Sequence, residues 1–281
     1  MAQPDKEHGV SAVNREFERF DQVDRPHQYH LAESADDEGF DDDFQIKTCD
    51  MRLFFEGGEA GRAEFAQQLG RAMEEIGFAI LVGHGVDPAL YREVPDRVIE
   101  VFTGPTLEQK RRFTAERIGS VKQGYFPIKE TSDIHPDLVE GWVFCRRAFD
   151  LDEPRTEPFR ADAFWPDPSA EPFFRRIVLA HEQLILPITQ SIFRYLGVDP
   201  HHYDDRLTRA NFGFRLNYYP PISAEDDASG AGRLLGHEDV DLFTILPAPE
   251  VEGAIYERWL GPMGAPSILL TVSYYLQAIP E

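Results

Sequence analysis

A change of hydrophobic period near Gly213 constrains this chain more than any other feature. Before it, apolar residues recur mostly at helical spacing; after it they fall into short period-two runs rich in β-branched and aromatic residues. Phe65, Ala66, Leu69, Ala72, Met73 and Ile76 predict a helix that Gly77 stops. Phe78–Val82, closed by Gly83-His84-Gly85, reads as a buried strand and turn. Pro88 to Phe102 reads as a further helix, and Thr106 caps a short one that ends near Phe113. The middle, Gly119 to Pro168, is rich in Pro, Gly and aromatics, with strand-like Trp142–Phe144. A long amphipathic helix runs from Phe174 to Leu196, interrupted by Pro187 and stopped by Gly197. Strands are expected at Phe214–Tyr219, Asp241–Leu246 and Pro266–Val272. Helices thus dominate the first two-thirds and strands the last third. The expected class is α+β, a helical layer on a β-sandwich or barrel.

Charge narrows the function. The 281 residues carry 28 Lys+Arg against 50 Asp+Glu, a formal net charge of −22. Such a balance argues against nucleic acid, whose binding rests on neutralising phosphates with Lys and Arg, and against anionic membrane surfaces. No apolar run is long enough to span a membrane, and Met1–Gln22 is too polar for a signal peptide. Cys49 and Cys145, the only cysteines, read as thiols of a reducing compartment, so a cytoplasmic location is expected. Glu33 to Asp43 holds seven acids in eleven positions without the ligand spacing of a calcium loop. Residues 1–45 are therefore expected to be an acidic, partly flexible lead-in, with ordered structure established near Arg62.

Three His-x-Asp tripeptides stand out, because residues i and i+2 of a strand point to one face and can converge on one metal ion. His135-Pro-Asp137 and His202-Tyr-Asp204 sit in polar loop sequence and read as solvated surface. His237-Glu-Asp239 follows a Gly-rich turn and leads straight into a strand.

Its neighbours carry a resemblance. Arg215-Leu-Asn217-Tyr218-Tyr219-Pro220-Pro221 precedes the tripeptide, and Thr244-Ile-Leu246 and Val251-Glu-Gly253 follow it. Earlier, Gly77-Phe78 leads into Gly83-His84-Gly85-Val86, and Gly124-Tyr125 and Glu140-Gly-Trp142 come between. From about Gln45 to Gln277 this order resembles the isopenicillin N synthase-like family of non-haem Fe(II)- and 2-oxoglutarate-dependent oxygenases. The resemblance implies a double-stranded β-helix (jelly-roll) core with N-terminal and flanking helices, some C-terminal strands being incomplete. Residues 46–200 would form the N-terminal mixed helical region and 201–281 the jelly-roll portion. It implies Fe(II) ligated by His237 and Asp239, and 2-oxoglutarate as co-substrate hydrogen-bonded by Asn217 and Tyr219, with ascorbate as reductant. The partner is then a small-molecule substrate, hydroxylated, desaturated or cyclised as 2-oxoglutarate is decarboxylated to succinate. His84 matches a structural position.

The sequence also departs from that pattern. The family has a further histidine ligand and an Arg-x-Ser carboxylate clamp after the His-x-Asp pair; no histidine follows His237, and Arg258 is followed by Trp259-Leu260. The expectation is a truncated or disrupted oxygenase, or one completed by another element, with His135, His181, His201 and His202 available as ligands. An oxidase of the family that uses no 2-oxoglutarate would explain the missing clamp alone. The alternative from another class is a catalytically impaired or dead homologue acting as a binding or regulatory module.

Overall fold

The structure, a computed structural model, describes residues 46–118, 121–130, 137–151, 157–207, 212–228, 242–247 and 268–272. The acidic lead-in and the expected sites at His135, His237 and Asp239 lie outside these residues. The chain divides into two compact units. The first draws its described residues from within Glu93–Arg175 and Asn211–His237, the second from within Gly39–Arg92, Arg176–Ala210 and Glu238–Glu281.

The first unit is built on strands β3 (Glu116–Ile118), β4 (Val121–Phe126), β5 (Glu140–Cys145) and β6 (Gly213–Tyr218), paired antiparallel in that order. One face of the sheet carries its core. Trp142 is fully buried, with Phe102, Phe113, Tyr125 and Phe144 around it, and Phe144 stacks on Trp165 with ring centroids 3.8 Å apart. The Trp165 indole N–H donates to the Ala148 carbonyl at 2.8 Å, so the buried ring has no orphaned donor. Helix Val94–Thr103 packs against this unit through Phe102, which stacks on Tyr218 at 5.5 Å. On the same face Lys110 Nζ donates to Glu140 Oε2 at 2.5 Å and the Tyr125 hydroxyl donates to the same oxygen at 2.8 Å. Burial, reinforced by that carboxylate, holds the Tyr125 phenol well above its ordinary pKa.

The second unit pairs β1 (Thr48–Asp50), β2 (Phe78–Val82), β8 (Ile268–Val272) and β7 (Phe243–Pro247), in the order β1-β2-β8-β7. The β1–β2 pair is parallel and the others are antiparallel. Its core is mainly aliphatic: Leu69 and Ala72 of helix Gly58–Ile76, Leu184, Ile188 and Ile192 of helix Glu171–Tyr195, and Ala79 and Leu81 of β2 surround Phe65. Gly77 ends the first of these helices in the left-handed conformation, φ 74°, which a side chain would strain. Gly70 lets the two helices meet closely, because a Cβ there would fall 2.0 Å from the Tyr195 ring.

Several expectations change. Strands before the last third are more numerous than expected: beside β2 and β5, which the sequence anticipates, β1, β3 and β4 also precede residue 146. β3 and β4 escape the periodicity because they are short and mix charged residues with a glycine, Gly124, at φ 130°. The helix expected from Pro88 to Phe102 is two, Ala89–Arg92 and Val94–Thr103; Pro95 lacks the N–H a helix interior needs and sits in the first turn of the second. Helical structure starts at Arg52, ahead of Arg62. Pro187 does not interrupt the long helix, which continues through it to Tyr195. The capping at Thr106 is borne out as a reciprocal box, with Gln109 N–H donating to Thr106 Oγ1 and Thr106 N–H to Gln109 Oε1.

Candidate active site

Alternation along β6 separates a core face from a polar face. Phe214, Leu216 and Tyr218 turn toward the aromatic core, which leaves Arg215 and Asn217 on the opposite face. Tyr219, the next residue in the same alternation, is 42% exposed. Asn217 is half-buried within β6, one residue from its end, and its Oδ1 accepts from Arg215 Nε at 2.9 Å. In register it stands opposite Gly141 of β5. The two expected co-substrate residues thus occupy one short stretch, Asn217 within β6 and Tyr219 just past its end, together with an arginine that the motif contains without a role. The i, i+2 spacing is the signal for it.

The chemistry of this set suits a carboxylate. An amide N–H, a phenol O–H and a guanidinium all donate to anionic oxygen. None is a good iron ligand. Among the described residues no three His, Cys, Asp or Glu side chains gather as a metal site. An imidazole and a carboxylate two residues apart, as in His237-Glu-Asp239, are the donors that Fe(II) accepts.

The described histidines are accounted for locally. His84 is buried, as expected of a structural residue, and its Nδ1 accepts from the Val86 N–H at 3.1 Å. His181 Nδ1 lies 2.7 Å from the Ile177 carbonyl, so it carries the proton, and Nε2 is left to accept from the Tyr91 hydroxyl at 2.8 Å. Burial pushes its pKa below the ordinary value. Both ring nitrogens are engaged. His202 does not pair with Asp204; that carboxylate accepts from Gln190 Nε2 at 2.9 Å and pairs with His201 Nδ1 at 2.8 Å. His201 and His202 are exposed, as expected of solvated loop. Asp137 departs from expectation, since it is buried at 2% exposure and its carbonyl accepts from the Lys129 N–H at 3.0 Å.

Comparison with known proteins gives the chain relatives. Residues 46–168 match the family described as non-haem dioxygenase in morphine synthesis N-terminal. The chain is 26% identical over 226 residues to the 2-oxoglutarate-dependent dioxygenase frbA of Dothideomycetidae sp. (strain 11243), covering 77% of this chain and 67% of that protein. It is 29% identical over 211 residues to the 2-oxoglutarate-dependent dioxygenase citB of Monascus ruber, covering 68% and 62%. The chain therefore spans about two thirds of the length of these relatives. Among solved structures it resembles a full-length Neurospora crassa protein in complex with alpha-KG and thymine, with a TM-score of 0.61 and 18% identity over 82% of this chain and 74% of that one. The 2-oxoglutarate complex of the Arabidopsis thaliana dioxygenase for auxin oxidation 1 gives a TM-score of 0.58 and 18% identity, covering 82% and 80%. At such identities the likeness is one of fold.

Proposed function

We propose that the chain belongs to the Fe(II)- and 2-oxoglutarate-dependent oxygenase family and that it oxidises a small molecule by hydroxylation, desaturation or cyclisation. The fold we assign is the family's double-stranded β-helix with N-terminal and flanking helices. His237 and Asp239 hold the iron, and Asn217 and Tyr219 bind 2-oxoglutarate beside it. When bound, the metal would bring dioxygen, the oxidant, together with 2-oxoglutarate, whose oxidative decarboxylation to succinate and CO2 supplies two of the four electrons dioxygen accepts, the substrate supplying the other two. The chain's own residues do the rest: donors on β6 fix the orientation of the dicarboxylate, so that its decarboxylation is aimed at the substrate. Ascorbate keeps the iron reduced between turnovers. We place the protein in the cytoplasm, on two buried cysteines that form no disulfide. Among the described residues no helix is long and apolar enough to cross a membrane.

The observation that carries this reading is the polar face of β6, which gathers hydrogen-bond donors for a carboxylate while its reverse face is packed in aromatic side chains. Anaerobic Fe(II) titration tests the metal assignment. His237→Ala and Asp239→Ala are expected to abolish binding, and His202→Ala to leave it unchanged. Equal loss in His202→Ala, or loss there alone, would sink the assignment. Succinate release in the presence of Fe(II), ascorbate and oxygen then reports turnover.

A further inference from the structure

Arg215 and Asn217 are two residues apart on β6 and share a face. The Arg215 Nε–H donates to Asn217 Oδ1 at 2.9 Å. A guanidinium accepts no hydrogen bond, so this contact determines which way the amide points: Oδ1 faces the arginine and Nδ2 is turned away to donate elsewhere. The strand opposite leaves room for the arrangement. A Cβ built on Gly141 would lie 3.5 Å from Arg215 Nη2, 3.7 Å from its Nε and 3.6 Å from the Phe126 Cβ. The guanidinium thus rests beside bare backbone, where any longer side chain would compete for its space.

We propose that Arg215 is a positioning residue of the co-substrate site, locking the Asn217 amide so that Nδ2 is presented to a carboxylate of 2-oxoglutarate, with the guanidinium resting beside Gly141. The inference rests on the reading of Asn217 as a co-substrate residue. Without the arginine the amide turns over readily, and its other orientation sets a carbonyl oxygen against an anionic oxygen. Arg215 acts here through Asn217 and needs no contact of its own with the ligand.

That distinction is measurable as a double-mutant cycle. Isothermal titration of 2-oxoglutarate into the Mn(II)-loaded protein, which reads binding without turnover, is made for the parent, Arg215→Leu, Asn217→Ala and the double variant. Each single substitution is expected to weaken binding by about tenfold, the size of one hydrogen bond to a charged group. The double variant is expected to bind no more weakly than Asn217→Ala, because the arginine's effect passes through the amide. Arg215→Lys is expected to recover little, since a flexible ammonium lacks the planar fork. Effects that multiply in the double variant, full recovery by lysine, or an Arg215→Leu protein that binds like the parent would each overturn the positioning role while leaving the site in place. Parent-like binding by Asn217→Ala, or no binding by the parent, would overturn the reading of the site itself and the inference with it. Arg215 is exposed, so the substitution removes nothing from the core.

Discussion

The sheet of the first unit is made from strands joined mostly to their neighbours, β3 to β4 to β5 with β6 added at the edge, and it is held by stacked aromatic rings. The sheet of the second unit joins β1 and β2 to β8 and β7 from the far end of the sequence, over a core of Leu, Ile and Ala. The contrast extends to buried polar groups. The first unit buries an ion pair, Lys110–Glu140, with side chains 8% and 15% exposed, whereas the second holds a neutral pair, Tyr91 and His181. One unit therefore places few large contacts and a charge pair at its centre, and the other spreads its stability over many small contacts. The co-substrate face proposed on β6 needs the first kind of support. The donors on β6 are held to a fixed geometry because the reverse of the same strand is pinned by rings that cannot shift independently.

Three sets of substitutions break or sharpen this contrast. Trp142→Ala removes the ring that four other aromatics touch and is expected to cost about 3–5 kcal/mol in urea unfolding; Leu69→Ala in the second unit should cost less, about 2–4 kcal/mol. A larger loss at Leu69 would show that the aromatic stack is not the stronger support. Lys110→Met leaves Glu140 buried with only the Tyr125 hydroxyl and should cost about 3 kcal/mol. Adding Glu140→Leu to it should restore part of that loss, and a double variant less stable than the single one would contradict the account of the ion pair. His181→Gln gives the smallest effect, visible only against pH. The folded pKa of His181 lies below the ordinary 6.5, so the unfolded chain takes up the proton first as pH falls. Its contribution to stability is present above about pH 6.5 and is lost as pH falls through the folded value. Melting curves of parent and variant should converge in that acidic window and differ above it. A constant offset at every pH would exclude His181 as the titrating group.

What is legible in the sequence follows the range of the forces involved. Helix Gly58–Ile76, its Gly77 stop, the strand Phe78–Val82 and the Thr106 box are set by residues within a few positions of one another, and all are present. Alternation alone places strand β6 within one residue, and the same alternation sets Asn217 on the face opposite the aromatic core. Strands β3 and β4 are not legible, because β3 is ordered by pairing with β4, and β4 by pairing with β5, and neither by a pattern of its own. Asp137 looks like a solvated loop residue in a polar stretch; its burial depends on a tertiary neighbourhood that local polarity does not report. Arg215 can be read as sharing a face with Asn217, but its guanidinium rests beside Gly141, and that placement is a matter of register between distant strands.

The pairing of β2 with β8 also sets a timetable for the newborn chain. As the ribosome works from the amino terminus, all four strands of the first sheet have been made before either β7 or β8 exists. Helix Gly58–Ile76 and β2 must wait meanwhile, with one edge of β2 unpaired and its apolar residues without their final cover. At typical rates of translation the wait lasts roughly ten to forty seconds, long compared with the collapse of a nascent segment. The same long-range strand that completes the second sheet thus makes the early part of the chain a natural client for chaperones until synthesis passes Val272.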